Sequence, residues 1–293
     1  MKAAFLPDRG VIKVSGDDAR TFLNGLVTTD VTLIEPGLGR FGALLTPQGK
    51  IIVDFLITEA PPGYGGGFLL DCPLPLTQSL ADKLNFYKLR AKVKVENISD
   101  ALGVIAAWDG EPRLRPDLTF QDPRDPNLGW RILAPEELAR RVVDVIEAEL
   151  VESTDYETHR IAVGAPRGGV DFIYGDAFPH ETNMDRLHGV DFDKGCYVGQ
   201  EVVSRMEHRG TARTRTVRVL LDGGAPEAGT PILAGDKTLG TMGSSADGRG
   251  LALMRLDRAA DALDGGAALS AGGLPLRLAD TDDVRLPARK TVA

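Results

Sequence analysis

The feature that most constrains this chain is a change of character near Gly210. Beyond it lie only short apolar runs, Val217-Arg218-Val219-Leu220-Leu221, Pro231-Ile232-Leu233, Thr238-Leu239-Gly240-Thr241-Met242 and Leu274-Pro275-Leu276-Arg277-Leu278, separated by glycine-rich turns. Regular short strands without a long helical period predict a small barrel or sandwich. Before Gly210 the two periods mix. Asp17 is placed to cap a helix whose apolar face is Phe22, Leu23 and Leu26. Leu76, Leu80, Leu84 and Tyr87 predict a helix from Pro75 to about Leu89. Pro135 to Leu150 reads as another, with Leu138, Val142, Val145 and Ile146 as its buried stripe. Thr154-Asp155-Tyr156-Glu157 is a capping-box pattern that opens a third helix, running to about Val163. Gly10 to Val14, Ile51 to Ile57 and the alternation around Val93 and Val95 read as strands, and Arg113 to Asn127 as a long surface connection. The expectation is an α+β region over 1–209 followed by a β domain over 210–293, in a chain of 293 residues that is long enough for two or three packed units.

The net charge of -8 disfavours bulk binding to nucleic acid or to an anionic membrane. A basic run, Arg205, His208, Arg209, Arg213, Arg215 and Arg218, is either a local patch for an acidic ligand or partner, or a solvated strand face. It lacks the interleaved aromatics that stack on bases, so nucleic acid fits it poorly. No apolar run approaches the roughly 20 residues that span a bilayer. Met1 to Arg9 carries no signal-peptide core. The cysteines are Cys72 and Cys196 alone, which argues against a disulfide-built secreted scaffold and makes a reducing cytoplasm the expected compartment.

Chemistry concentrates in Lys194-Gly195-Cys196-Tyr197-Val198-Gly199-Gln200-Glu201. A thiol between glycines, with the cations of Lys194 and Arg205 at hand to lower its pKa, suggests a nucleophile or a metal ligand. The alternative is a small buried residue in a tight turn. Lys194 is assigned as the group that stabilises the thiolate. Gln200 and Glu201 either hydrogen-bond the loop or a ligand, or, for Glu201, simply begin the next element. One cysteine cannot hold an iron–sulfur cluster alone, and no Cys-x-x-Cys or His-x-x-x-His spacing suggests zinc. His159, His180 and His188 share no ligand spacing and read as structural or exposed. A second signal is Asp54, an acid inside an apolar strand, which needs a partner or a cavity unless it faces solvent on an edge strand.

The cysteine motif resembles the signature of the YgfZ family, folate-binding proteins that help maintain iron–sulfur enzymes and are related to the aminomethyltransferase (T-protein) of glycine cleavage. Asp17 to Val31, Leu44 to Ile51 with Asp54-Phe55, and Phe178-Pro179-His180-Glu181-Thr182-Asn183-Met184 are similar to further segments of that family, so the likeness runs from about Leu6 to about Gly210. It implies a folate-binding region of two lobes and a C-terminal β-barrel around a central cavity. It also implies tetrahydrofolate or a one-carbon derivative as ligand, and assembly proteins or client enzymes as partners, with a transient shared iron–sulfur cluster at Cys196. Asp54 is then a candidate contact for a pterin or a folate amine. Tyr156 is a candidate to stack on the pterin, and Arg160, four residues on, to pair with a folate carboxylate. Whether the chain is an enzyme stays open. Val53 and Ala162 stand where the aminomethyltransferase pattern has carboxylates, which favours an accessory role over aminomethyl or methyl transfer.

Overall fold

The computed structural model describes residues 1–210 and 212–284. In chain order the strands before the barrel are β1 Lys2–Phe5, β2 Arg9–Ser15, β3 Gly39–Leu45, β4 Ile51–Glu59, β5 Phe68–Pro73, β6 Lys94–Asn97, β7 Gly103–Trp108, β8 Thr119–Gln121, β9 Trp130–Ala134 and β10 Glu149–Leu150. The helices among them are α1 Ala19–Asn24, α2 Thr77–Tyr87, α3 Ala139–Val145 and α4 Ser153–Val163. Helix α5, Gln200–Arg209, precedes β11 Thr214–Leu221, β12 Pro231–Ala234, β13 Lys237–Ala246 and β14 Arg249–Arg255. Helix α6, Leu256–Asp264, then leads to β15 Leu269–Ala271 and β16 Leu274–Leu278.

Two compact units emerge. The first comprises Met1–Thr46, Ile52–Tyr156 and Arg186–Val198. It contains two sheets, ordered β3-β4-β5-β2-β6 and β10-β1-β7-β9-β8. In the first sheet Ile12, Val14, Val53, Phe55, Ile57 and Leu70 present one face to Leu23 of α1 and to Leu80 and Leu84 of α2. Each fully buried leucine of that kind contributes about 1.5–3 kcal/mol. In the other sheet Ala3, Ile105, Ala107 and Ile132 pack with Ala139, Val143 and Ile146.

The second unit comprises Pro47–Ile51, Glu157–Asp185 and Gly199–Ala293. Its strands close into a barrel in the order β11-β14-β13-β12-β15-β16, with β11 pairing β16 to complete the ring. Closure leaves the sheet without an open edge. The interior is filled by Val217, Val219, Ile232, Met242, Met254, Leu269 and Leu276. Of the barrel and sandwich that short strands allow, the chain forms the barrel.

Several local expectations are corrected. Asp17, the expected cap, pairs with Lys92 at 3.6 Å, and helix α1 begins after Asp18, whose carboxylate accepts from the Lys92 amide and does not cap the helix. The expected helix to Leu150 ends at Val145, and its buried residues are Ala139 and Val143; Leu138 and Val145 lie on the exposed side. The stretch expected to be a surface connection contains β8, and Thr119, Phe120 and Asp122 are buried. The β8–β9 turn closes on Gly129, at φ +78°, where a Cβ would lie 2.1 Å from the Ala107 carbonyl oxygen. No side chain fits there, so glycine is required.

Candidate functional site

The cysteine loop belongs to the first unit as far as Val198. Cys196 is exposed and Cys72, on β5, is fully buried. Burial pushes the Cys72 thiol up to about 12, against the pull of the Arg9 guanidinium. At neutral pH Cys72 is therefore a protonated core residue, and Cys196 is the thiol that solvent and reagents can reach.

Lys194 holds this loop in place. Its Nζ donates to the carbonyl oxygens of Asn24 (2.8 Å), Val27 (2.6 Å) and Thr29 (2.9 Å). Its amide and that of Asp193 donate to the Asp191 carboxylate, which fixes the turn before it. Burial lowers the Lys194 ammonium to about 8, against the attraction of Asp30 and Asp191. The expected thiolate counter-ion is thus spent on backbone carbonyls, which accept every ammonium proton. Arg205, the other cation, pairs with Glu201 at 2.6 Å.

The remaining motif residues take separate roles. Gly195 has open space where a Cβ would be, so no close approach demands it. Gly199, at φ +81°, is the N-cap of α5, a left-handed conformation that suits glycine. Gln200 and Glu201 are the first residues of α5, with Glu201 solvated and paired to Arg205. Tyr197 is buried with its ring 5.2 Å from the Lys194 ammonium. Its hydroxyl makes no hydrogen bond. Burial raises its pKa and keeps it a neutral phenol. Removing an unsatisfied buried hydroxyl relieves a desolvation cost, so Tyr197→Phe is expected to stabilise the protein by about 1 kcal/mol in chemical denaturation. Destabilisation of that size would show that the hydroxyl is bonded in solution.

A buried polar cluster also lies in the first unit. Asp54 is 7% exposed on β4, an interior strand, which excludes a solvated edge acid. Arg9 and Arg124 both lie within electrostatic reach of it. Arg124 clamps Asp122 through Nε (3.0 Å) and Nη2 (2.7 Å), and Arg131 Nη2 adds a contact at 3.1 Å. Burial alone would raise the Asp122 carboxyl; Arg124 and then Arg131 override it and hold the group at about 2. Arg131 Nη2 also donates to the Tyr156 hydroxyl at 2.5 Å, and its guanidinium lies 4.7 Å from the Tyr156 ring centre. Arg131 Nε and Nη1 are buried with no hydrogen-bond partner.

Tyr156 and Arg160 do not fit their expected parts. The Tyr156 ring is buried, in a T-shaped contact with Trp108 at 5.3 Å between ring centres and with the Arg131 guanidinium at 4.7 Å, so it is packed by its own unit and not open for a pterin to stack on. In the second unit, the Arg160 guanidinium donates to Glu157 (2.9 and 2.5 Å), Asp171 (3.0 Å), Ser244 (2.8 Å) and the Ala165 carbonyl. Every N–H of that guanidinium is used, so it is a buried structural arginine. Arg131, by contrast, is a buried arginine with N–H groups left unpaired, and the sequence reading passed over it. It interrupts Trp130-Arg131-Ile132-Leu133 as Asp54 interrupts its own strand, and the same reasoning applies to both. In the second unit the basic run also divides: Arg215 is buried in a two-point pair with Asp185 (2.8 and 2.6 Å), whereas Arg213 and Arg218 are exposed. His180, buried, lies 3.2 Å from Glu207, and with Asp185 the three bring ligand-type atoms within 4.8 Å of one another. Their spacing in sequence does not reveal that grouping.

Residues 213–285 match the family described as CAF17, C-terminal beta-barrel domain. The mouse protein named iron-sulfur cluster assembly factor IBA57, mitochondrial, is 31% identical over 85% of this chain and 76% of its own length. The human protein of that name is also 31% identical, over 85% of this chain and 76% of its own length. The homologue from Mycosarcoma maydis is 36% identical over 74% of this chain, and the match spans 56% of that protein, so the chain covers about half the length of this relative. The aminomethyltransferase T structure from Bartonella henselae superposes with a TM-score of 0.74, covering 95% of this chain and 85% of that one. At 16% identity that likeness establishes the aminomethyltransferase-like fold alone. The relatives are mitochondrial proteins, which overturns the cytoplasmic expectation. Free thiols mark any reducing compartment, so the cysteine count could not make that distinction. No helix among the described residues is long and apolar enough to cross a membrane. With the identity and coverage of the mouse and human proteins, the chain belongs to the IBA57 family of iron–sulfur cluster assembly factors, of which the YgfZ proteins are bacterial relatives.

Proposed function

We propose that this protein is a folate-dependent accessory factor for the assembly or repair of iron–sulfur clusters in client enzymes, with Cys196 as its working thiol. The observation that carries the reading is the contrast between an exposed Cys196, on a loop anchored by Lys194, and a Cys72 sealed in the core. A cluster usually needs four protein ligands, so a cluster at Cys196 would be shared with a partner or a small thiol. In cells lacking this protein, the wild-type gene is expected to restore the activity of cluster-dependent enzymes. Cys196→Ser at equal expression is expected not to, while melting within about 1 °C of wild type, because surface changes of that kind rarely exceed a few tenths of a kcal/mol. Full restoration by the serine variant would remove Cys196 from the chemistry.

A reduced folate fits the first unit through Asp54, a buried acid able to accept from pterin or amine N–H groups, and through Arg131, whose orphaned Nε and Nη1 lack an acceptor. Tyr156 then acts by positioning Arg131. A bound folate would supply a carrier for a one-carbon unit. Tetrahydrofolate at about a hundred times its Kd is expected to stabilise the protein by about 2.7 kcal/mol. Asp54→Asn should weaken its binding about tenfold, as loss of a charged hydrogen bond does. Calorimetry showing no heat with any of several reduced folates would exclude the ligand.

A further inference from the structure

We propose that the end of α2 and the turn after it, Lys83 to Arg90, form a docking surface for an acidic protein. Two large apolar side chains stand out here: Phe86 is 76% exposed and Leu89 is 88% exposed. Leu89 also has φ +42°, the left-handed region that an ordinary side chain disfavours and that Gly or Asn would occupy more readily. An exposed leucine in a disfavoured backbone conformation contributes nothing to the core of its own molecule. Such strain persists where an outside contact uses it.

The charges around these residues point to the partner. The segment 82–96 carries five cations against two acids, in a chain of net charge -8. Lys92 and Lys94 are paired with Asp17 and Glu96. Lys83, Lys88 and Arg90, which bracket Phe86 and Leu89, have no acid in ion-pair contact among the described residues. An aromatic and a leucine at the centre, with unneutralised Lys and Arg beside them, match the anatomy of a protein–protein hot spot that meets acidic groups. An anionic membrane fits less well. A flat headgroup layer would also meet Asp17 and Asp18, which contact Lys92, whereas a protein partner can place its acidic groups against the cations alone. That the partner is a cluster-bearing enzyme or assembly protein rests on the function proposed above; the surface itself does not.

The test places a photo-crosslinking residue at position 86 of the full chain in living cells and identifies adducts by mass spectrometry. The expected adduct is an acidic cluster protein. Its yield should fall at least tenfold when Lys83, Lys88 and Arg90 are all changed to Glu, and at least tenfold with Leu89→Asn. Purified Leu89→Asn should melt about 2 °C higher than wild type, since the strain is relieved, so loss of binding cannot be blamed on unfolding. Cys196→Ser should keep the adduct while failing to restore cluster enzymes. Charge-sensitive adducts with acidic proteins unconnected to clusters would uphold the surface and count against the proposed function. Adducts indifferent to both the charge reversal and Leu89→Asn, or none at all, would overturn the docking surface. So would cosedimentation of the purified protein with phosphatidylglycerol-rich vesicles that these same variants abolish.

Discussion

Arg160→Leu is expected to destabilise the protein by about 3–5 kcal/mol, the usual consequence of removing one partner from a buried ion pair. The Asp171 carboxylate would stay buried, with Oδ1 still accepting from the Ser244 amide and hydroxyl and Oδ2 from the Arg167 amide, but without its cation. The Ala165 carbonyl would lose its donor, and Glu157 would keep only its longer contact to Arg167 at 3.5 Å. Replacing Arg160 and Asp171 together by Met and Leu should recover part of the loss, because no lone charge is then left in the interior. Denaturant titration measures both variants. A ligand-contact role for Arg160 predicts the reverse pattern: near-normal stability with a selective loss of folate affinity.

Lys194→Met is expected to cost about 3 kcal/mol or more. The methionine fills much of the volume but donates nothing, and the carbonyls of Asn24, Val27 and Thr29 lose the donor they share. Each buried acceptor left without a donor costs about 1–3 kcal/mol, discounted here because these carbonyls lie near one another and relax together. Lys194→Arg should not rescue the variant, since a planar fork cannot address carbonyls that converge on one ammonium. The competing reading, in which the lysine is the counter-ion of the thiolate, makes a different prediction. It requires the pH midpoint of Cys196 alkylation to rise in Lys194→Met with little change in melting. Measuring alkylation and melting on the same preparation separates the two.

Much of the fold was legible because its signals are local. The short runs after Gly210 carry their own period, and α2 announces itself through Leu76, Leu80 and Leu84. What failed locally failed for tertiary reasons. Asp17, the expected cap, pairs with Lys92 instead, and Asp18 at the N-cap position accepts from the Lys92 amide, contacts between residues far apart in sequence. Phe120 is buried inside a stretch whose prolines and charges suggest solvent. At the candidate site the sequence names charged and aromatic residues but not the directions in which their side chains turn. An arginine four residues after a tyrosine says nothing about which acid each will meet, and Asp171 and Ser244 claim Arg160 from well downstream. The strand arginine at 131 was accessible by the argument that singled out Asp54, a charge interrupting an apolar run.

The seclusion of Cys72 bears on what happens when Cys196 is oxidised. A sulfenic acid is normally rescued by a second thiol that condenses with it, and a thiol locked in the core of a sheet cannot serve. The chain has no internal resolving cysteine. Thiol-dependent rescue of a Cys196 sulfenic acid therefore has to come from outside the chain, through a mixed disulfide with a small thiol or with another protein. On the function proposed above, with Cys196 as the working thiol, the protein's working lifetime under peroxide is tied to the thiol supply around it.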